Sequence, residues 1–173
     1  QAKASVLPGF DSCGTVDVGW LSEDPVETDV AAGQSVNVTV TMDSADLAQP
    51  GTYKASLVFS TDSPYPVTPV QITFTVNPPK TWAKISGVVS GKACSGTVAP
   101  IPGATVQIDT RAASYTLITD SDGKYALWLD KRNNPLTLIV AKDGWQPQTR
   151  KVRVKPGSPL TANFTLLPAK PCK

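Results

Sequence analysis

Hydrophobic and polar residues alternate one for one along most of this chain, the signature of strands with one buried face. From Val16 the run V-D-V-G-W-L-S-E-D-P is followed by Ser35 to Met42, where Val36, Val38, Val40 and Met42 face one way and Asn37, Thr39 and Thr41 the other. Tyr53, Ala55, Leu57 and Phe59 continue the period, as do Val70, Ile72, Phe74 and Val76. Four strands, each with one apolar face, call for a second sheet to cover them. Residues 1 to 15 show little periodicity, with Pro8-Gly9 and Cys13-Gly14 breaking the chain. The consecutive prolines of N-P-P-K end this pattern near residue 80 and favour a stiff, extended connector.

Beyond the connector, strands are expected near 83–91, 104–110, 114–119, 124–129, 135–142, 149–155 and 160–167, enough for a complete sandwich. Ala104, Val106 and Ile108 alternate with Thr105, Gln107 and Asp109, and Tyr125, Leu127 and Leu129 alternate with Ala126, Trp128 and Asp130. Between these runs Asp122-Gly123 supplies residues that tolerate positive φ, so a hairpin is expected there, with Tyr115, Leu117 and Thr119 on its incoming strand. Long helical patterns are absent from the sequence. The chain is therefore expected to be all-β, with two tandem sandwiches: residues 1–79, a Pro-rich linker at 80–83, and residues 84–173.

The stretch I-P-G-A-T-V-Q-I-D-T, the S-Y-T-L-I-T-D-S-D-G-K-Y-A-L-W-L run and the later G-W-x-P-x-T-R-K-V-x-V together resemble the carboxypeptidase regulatory-like domain, a small transthyretin-like sandwich. The resemblance covers roughly Ala83 to Pro168. In the first half, W-L-S-x-x-P, A-G-Q-S-V-x-V-T-V, L-A-x-P-G-T-Y-x-A-S-L and S-P-Y-P-V-T-P-V-Q-I-T-F-T-V resemble the immunoglobulin-like repeats downstream of secreted bacterial subtilisin-like peptidases. Those repeats carry two further strands ahead of the Trp-Leu motif, which residues 1–15 do not supply. Because an immunoglobulin-like sandwich has about seven strands, the first domain either gains a strand from outside residues 1–79 or is completed by its own N-terminus. Ala2 to Phe10 is the nearest local candidate.

Composition agrees with this reading: 16 prolines and 12 glycines punctuate runs rich in Val and Thr. The net charge of +2 hides an asymmetry, since residues 1–79 hold two lysines against nine carboxylates and residues 80–173 hold fourteen Lys and Arg against five. The halves thus carry −7 and +9, which favours contact between unlike halves at low salt. Three cysteines without a C-x-x-C pair in a chain that has no histidine point to an oxidising, extracellular setting. Of the three possible pairings, Cys94 with Cys172 is expected, because it would anchor the C-terminal tail; Cys13 would then be free or bonded elsewhere. No run approaches the ~18 apolar residues of a membrane span, and no signal peptide is legible, so an extracellular chain would have lost its signal earlier.

The absence of histidine removes the usual general base of Ser and Cys hydrolases and the commonest transition-metal ligand. No serine lies in a nucleophile elbow or an S-x-x-K signature, and neither catalytic residues nor a cofactor are expected. Asp120, Asp122 and Gly123 have the spacing of half a calcium loop. An EF-type loop needs a third oxygen residue and a terminal Glu, and Lys124 stands where negative charge would help, so a structural turn is expected.

Lys151, Arg153 and Lys155 are expected on one face of a strand whose other face carries Val152 and Val154. Trp128, of opposite parity to Tyr125, Leu127 and Leu129, is expected on an outer face, and with Trp145 it completes the candidate interface residues. No nucleic-acid motif accompanies the cations, so neither nucleic acid nor a membrane is expected as partner. The resemblances imply a non-catalytic extracellular module from the C-terminal region of a secreted peptidase, acting as spacer, stabiliser or tether to a surface polymer. The incomplete first sandwich and the opposite charges suggest instead a fibre or surface assembly joined by strand donation, and the exposed aromatic and basic residues a carbohydrate-binding or adhesive module.

Overall fold

A computed structural model describes residues 2–5 and 17–172 of the chain. The chain is all-β and divides into two compact units, residues 1–77 and 78–173. Cys13 lies outside the described residues, as does the rest of the 6–16 stretch.

In the first unit, β1 (Ala2–Ser5), β4 (Gly51–Phe59) and β5 (Val70–Val76) form an antiparallel sheet in the order β1-β4-β5. β2 (Leu21–Asp24) and β3 (Thr39–Met42) pair as a separate ribbon. Val18, Trp20, Leu21 and Ala55 are its buried cluster, with the Trp20 indole stacked on Phe74 at 5.6 Å and tilted against Tyr53 at 6.3 Å. The expected strand from Ser35 begins only at Thr39, so Val36 and Val38 precede it. Val36, Met42 and Val70 remain 44%, 46% and 48% exposed. Within the described residues the alternation of β3 and β5 therefore outruns the surface available to cover it.

The second unit is a two-sheet sandwich. Its long central strand β6 (Trp82–Lys92) pairs antiparallel with β7 (Val98–Pro100), and its apolar residues alternate inward as Ala83, Ile85 and Val89. β8 (Thr105–Asp109) and β9 (Ser114–Ile118) form a hairpin closed at Thr110–Ala113, where Thr110 donates through both its backbone N–H and its hydroxyl to the Ala113 carbonyl. β10 (Lys124–Asp130) and β11 (Leu136–Ala141) flank a single 3-10 turn over Lys131–Asn133, and β12 (Gln148–Val152), β13 (Leu160–Thr161) and β14 (Phe164–Leu166) complete the unit. One sheet is β12-β11-β8-β9; in the other, β10 lies antiparallel to β6 while β13 and β14 run parallel to it. Between them lie the fully buried Ile85, Val89, Val106, Ile108, Leu136, Leu138, Val140 and Leu166, with Phe164 and Leu129 nearly so. Each such side chain contributes on the order of 1.5 to 3 kcal/mol of transfer free energy.

In the second unit four sequence expectations change. β6 starts at Trp82, so residues 82 and 83 of the expected linker are sheet. The expected strand 149–155 ends at Val152, and the chain beyond it is held by a side chain: Val154 N–H donates to Asn134 Oδ1 at 2.9 Å, while Asn134 Nδ2 donates to the Val154 carbonyl at 2.9 Å. The expected strand 160–167 is two short strands separated at Ala162 and Asn163.

The fourth change is topological. β9 pairs with β8 in one sheet and β10 with β6 in the other, so the Asp120–Gly123 turn is an arch between sheets and not a hairpin within one. Facing strands bury both apolar faces at once, Tyr115 and Leu117 from one side and Tyr125, Leu127 and Leu129 from the other, whereas neighbours in one sheet would leave both needing a cover. The turn chemistry is unaffected, because Asp120 Oδ1 accepts the N–H groups of Asp122 at 2.9 Å and Lys124 at 2.8 Å and Gly123 sits at φ +71°.

Candidate functional site

The outer face of the β6–β10 pair carries Trp128, one of the five candidate interface residues read from the sequence. Alternation sends Trp82, Lys84, Ser86 and Val88 outward on β6, and Lys124, Ala126 and Trp128 outward on β10. The register sets Trp128 directly across from Lys84, and Trp82 across from Asp130, so the two indoles are diagonal neighbours. A groove of about 350 Å³ runs over them, walled by Pro78, Pro79 and Pro159 and carrying Lys80 and Lys84. No carboxylate lines it among the described residues. Its floor is rigid, since β6 is bonded on both edges, by β10 on one side and by β13 and β14 on the other.

A second depression of about 660 Å³ adjoins at Lys84 and extends along the same face past Ser86 and Val88 to Lys124 and Asn163. Lys124 Nζ meets Asp122 Oδ2 at 2.8 Å, so the hydrogen bond and the opposite charge hold the carboxyl below and the ammonium above their ordinary values. Asn163 Oδ1 accepts the Val88 N–H at 3.0 Å and so caps the gap between β13 and β14.

The remaining candidates are placed elsewhere. Trp145 is half-buried against the second core, its ring lying over Gly91. The segment around it returns along the tail: Gln146 N–H donates to the Leu167 carbonyl at 2.8 Å, and Ala169 N–H to the Gly144 carbonyl at 2.9 Å. This brings Cys172 to Cys94, and the two are bonded with their Cα atoms 5.4 Å apart. Lys151 is exposed on edge strand β12 opposite Thr137, and Arg153 and Lys155 follow past its end. Lys155 begins the tight turn to Ser158 that contributes Gly157, Ser158 and Pro159 to the tryptophan groove. The neighbouring Arg150 lies over the Phe164 ring at 4.6 Å, a packing role.

Two polar residues to which the sequence assigned no role are buried: Thr119, on the same parity as Tyr115 and Leu117, and Asp130, which shares the outward parity of Trp128 and yet is covered. Thr119 Oγ1 donates to the Ile101 carbonyl at 2.7 Å and accepts the Ala104 N–H at 2.8 Å, stitching the arch to the start of β8. Asp130 caps the 3-10 turn: its carboxylate accepts the Arg132 N–H at 2.8 Å, a two-pronged Arg132 guanidinium at 3.1 Å and the Thr81 hydroxyl at 2.7 Å. The Arg132 bonds, and then that of Thr81, hold this carboxyl far below the usual carboxylate range. The signal in the sequence is Asp two residues before a cation at a strand end, a capping pattern too common to single out.

No buried side-chain polar atom lacks a partner among the described residues, and no three of them with metal-ligating side chains converge. Burial pushes the Tyr125 phenol up to about 12 against a smaller opposing effect of Arg150, and its hydroxyl donates to the Ala162 carbonyl. These groups hold the fold.

A mixed two-sheet sandwich with a fully satisfied interior and an aromatic outer groove is the class of domain that these observations define. Residues 84–167, which lie within the second unit, match the carboxypeptidase regulatory-like domain. No curated protein matches the chain. Among solved structures, catechol 1,2-dioxygenase from an Acinetobacter species aligns at 13% identity and a TM-score of 0.43, over 53% of this chain and 54% of its own. The minor pilin of Streptococcus agalactiae aligns at 13% identity and a TM-score of 0.46, over 81% of this chain and 72% of its own. The TIE protein of Bacillus anthracis aligns at 11% and 0.43, over 96% of this chain and 34% of its own. The chain thus spans about half the length of the dioxygenase and a third of the TIE protein.

Proposed function

We propose that this chain is a non-catalytic extracellular module, from the C-terminal region of a secreted peptidase, that serves as spacer, stabiliser or tether. The observation that carries this reading is the match of residues 84–167 to a regulatory-like domain whose buried polar groups, Thr119 and Asp130, are both engaged in structural hydrogen bonds. The Cys94–Cys172 bond supports an extracellular site, since such bonds persist in oxidising compartments. The peptidase parent, and an immunoglobulin-like repeat as the first unit, rest on the sequence motifs. Antibodies raised against this chain test the reading. A larger, peptidase-active polypeptide precipitated from the culture medium is the expected result, and a reduced chain confined to the cytosol would overturn it.

A second reading is favoured by the first unit. Exposed Val36, Met42 and Val70 on or beside the edge strands β3 and β5, together with half-charges of −7 and +9, suit a subunit joined to its neighbour by strand donation. Under this reading the purified chain sediments as a ladder that collapses with added salt. A single 18.2 kDa species at every salt concentration rejects it.

A further inference from the structure

We propose that the outer face of the β6–β10 pair is a binding groove for an acidic polysaccharide, with Trp82 and Trp128 stacking sugar rings and Lys80 and Lys84 meeting their carboxylates. Two half-buried indoles on one sheet face offer apolar surface at little conformational cost, and proline walls make the groove stiffer still. The aliphatic face of a pyranose ring covers such a surface while its hydroxyls stay in water. The charged groups lining the tryptophan end are Lys80 and Lys84, with no carboxylate among the described residues, so the complementary ligand is an anion.

The shape of the face selects a chain over a small molecule. The two depressions share Lys84 and follow β6 from Trp82 to Val88, about 20 Å at the rise of a strand. Charge then sets polarity along it, because Asp120 lines the far depression and Asp122 engages Lys124, so the anionic contacts concentrate at the tryptophan end. Backbone pairing selects against a peptide added as a strand on β6, since its two edges are already taken by β10, β13 and β14. A proline-rich peptide could use the aromatic rings but would leave the lysines without a counterpart.

Titration of the full chain with an oligogalacturonate, followed by tryptophan emission and calorimetry, tests this. Binding is expected with a shift of emission, weakened about tenfold by Lys84→Gln and by Trp128→Ala. It should also weaken in salt of about 0.5 M, where the screening length falls to ~4 Å. Melting curves of each variant separate lost binding from lost fold; if Trp128→Ala unfolds the second unit, Trp128→Phe and Lys84→Gln carry the test. A neutral malto-oligosaccharide should bind about tenfold more weakly or not at all, and polyglutamate, anionic but without rings, should leave the emission unchanged. Equal binding of polyglutamate would reduce the groove to a charge effect. Tighter binding of a polyproline peptide, no binding of oligogalacturonate, or binding indifferent to Trp128 and Lys84 would each overturn the assignment.

Discussion

Gly91 and the indole of Trp145 are separated by less than the width of a methyl group: a Cβ at position 91 would come within 2.2 Å of the far edge of that ring. The glycine is there because the ring is. Gly91→Ala should therefore destabilise the second unit by about 1–3 kcal/mol through overpacking. Trp145→Leu removes the obstacle, so the alanine should cost measurably less in that background. Urea unfolding of the four members of the cycle checks the coupling.

At the arch, Gly123 combines a φ of +71° with a carbonyl in the way, since a Cβ would lie 2.5 Å from the Val89 oxygen. Gly123→Val should cost about 3 kcal/mol or more, combining backbone strain with a clash against main chain that cannot move aside. Asp122→Ala removes only an exposed pair with Lys124 and should change the melting temperature far less.

Asp130 should make the second unit acid-sensitive. Its carboxyl is held below its usual 3.8 by Arg132 first and Thr81 next, so its stabilising contribution is complete above that value and is lost as pH falls through the folded-state value. Unfolding midpoints measured from about pH 5 down to pH 2 should fall more steeply in the native chain than in Asp130→Asn.

Tyr125 should act at the other end of the scale. With its phenol pushed up to about 12 from 10.0, the unfolded chain ionises first, so stability is intact below pH 10 and declines as pH rises from 10 toward 12. Ultraviolet titration should show one late phenolate that Tyr125→Phe abolishes. That variant should also lose about 1 kcal/mol at neutral pH, because the Ala162 carbonyl is left without its donor.

The Cys94–Cys172 bond spans 78 residues, nearly the whole second unit. In the chain-entropy account, a closed loop of that size contributes about 4 kcal/mol by restricting the unfolded state. Reduction, or the Cys94→Ser and Cys172→Ser pair of changes, should lower the unfolding midpoint of the second unit accordingly.

The sequence by itself determined which residues of each strand point the same way. Val106 and Ile108, Tyr125, Leu127 and Leu129 are legible as inward, and Trp128 as outward, because a side-chain period of two is a property of the strand alone. The alternation, together with the turn residues, therefore carries the all-β class and the outward side of Trp128. What alternation cannot encode is a strand's neighbour. The Asp120–Gly123 turn has the same local hydrogen bonds in a hairpin as in an arch, and only the burial of Tyr115 and Leu117 against Tyr125 and Leu127 places β9 and β10 in different sheets. For the same reason Trp82 and Trp128, 46 positions apart, form one groove only through the β6–β10 register. Trp145 lies against the core because the tail returns along residues 144–146, which also sets Cys172 beside Cys94. The clamps at Asp130 and Asn134 join residues up to 49 positions apart, and such long-range partners exist only once the sheets have stacked.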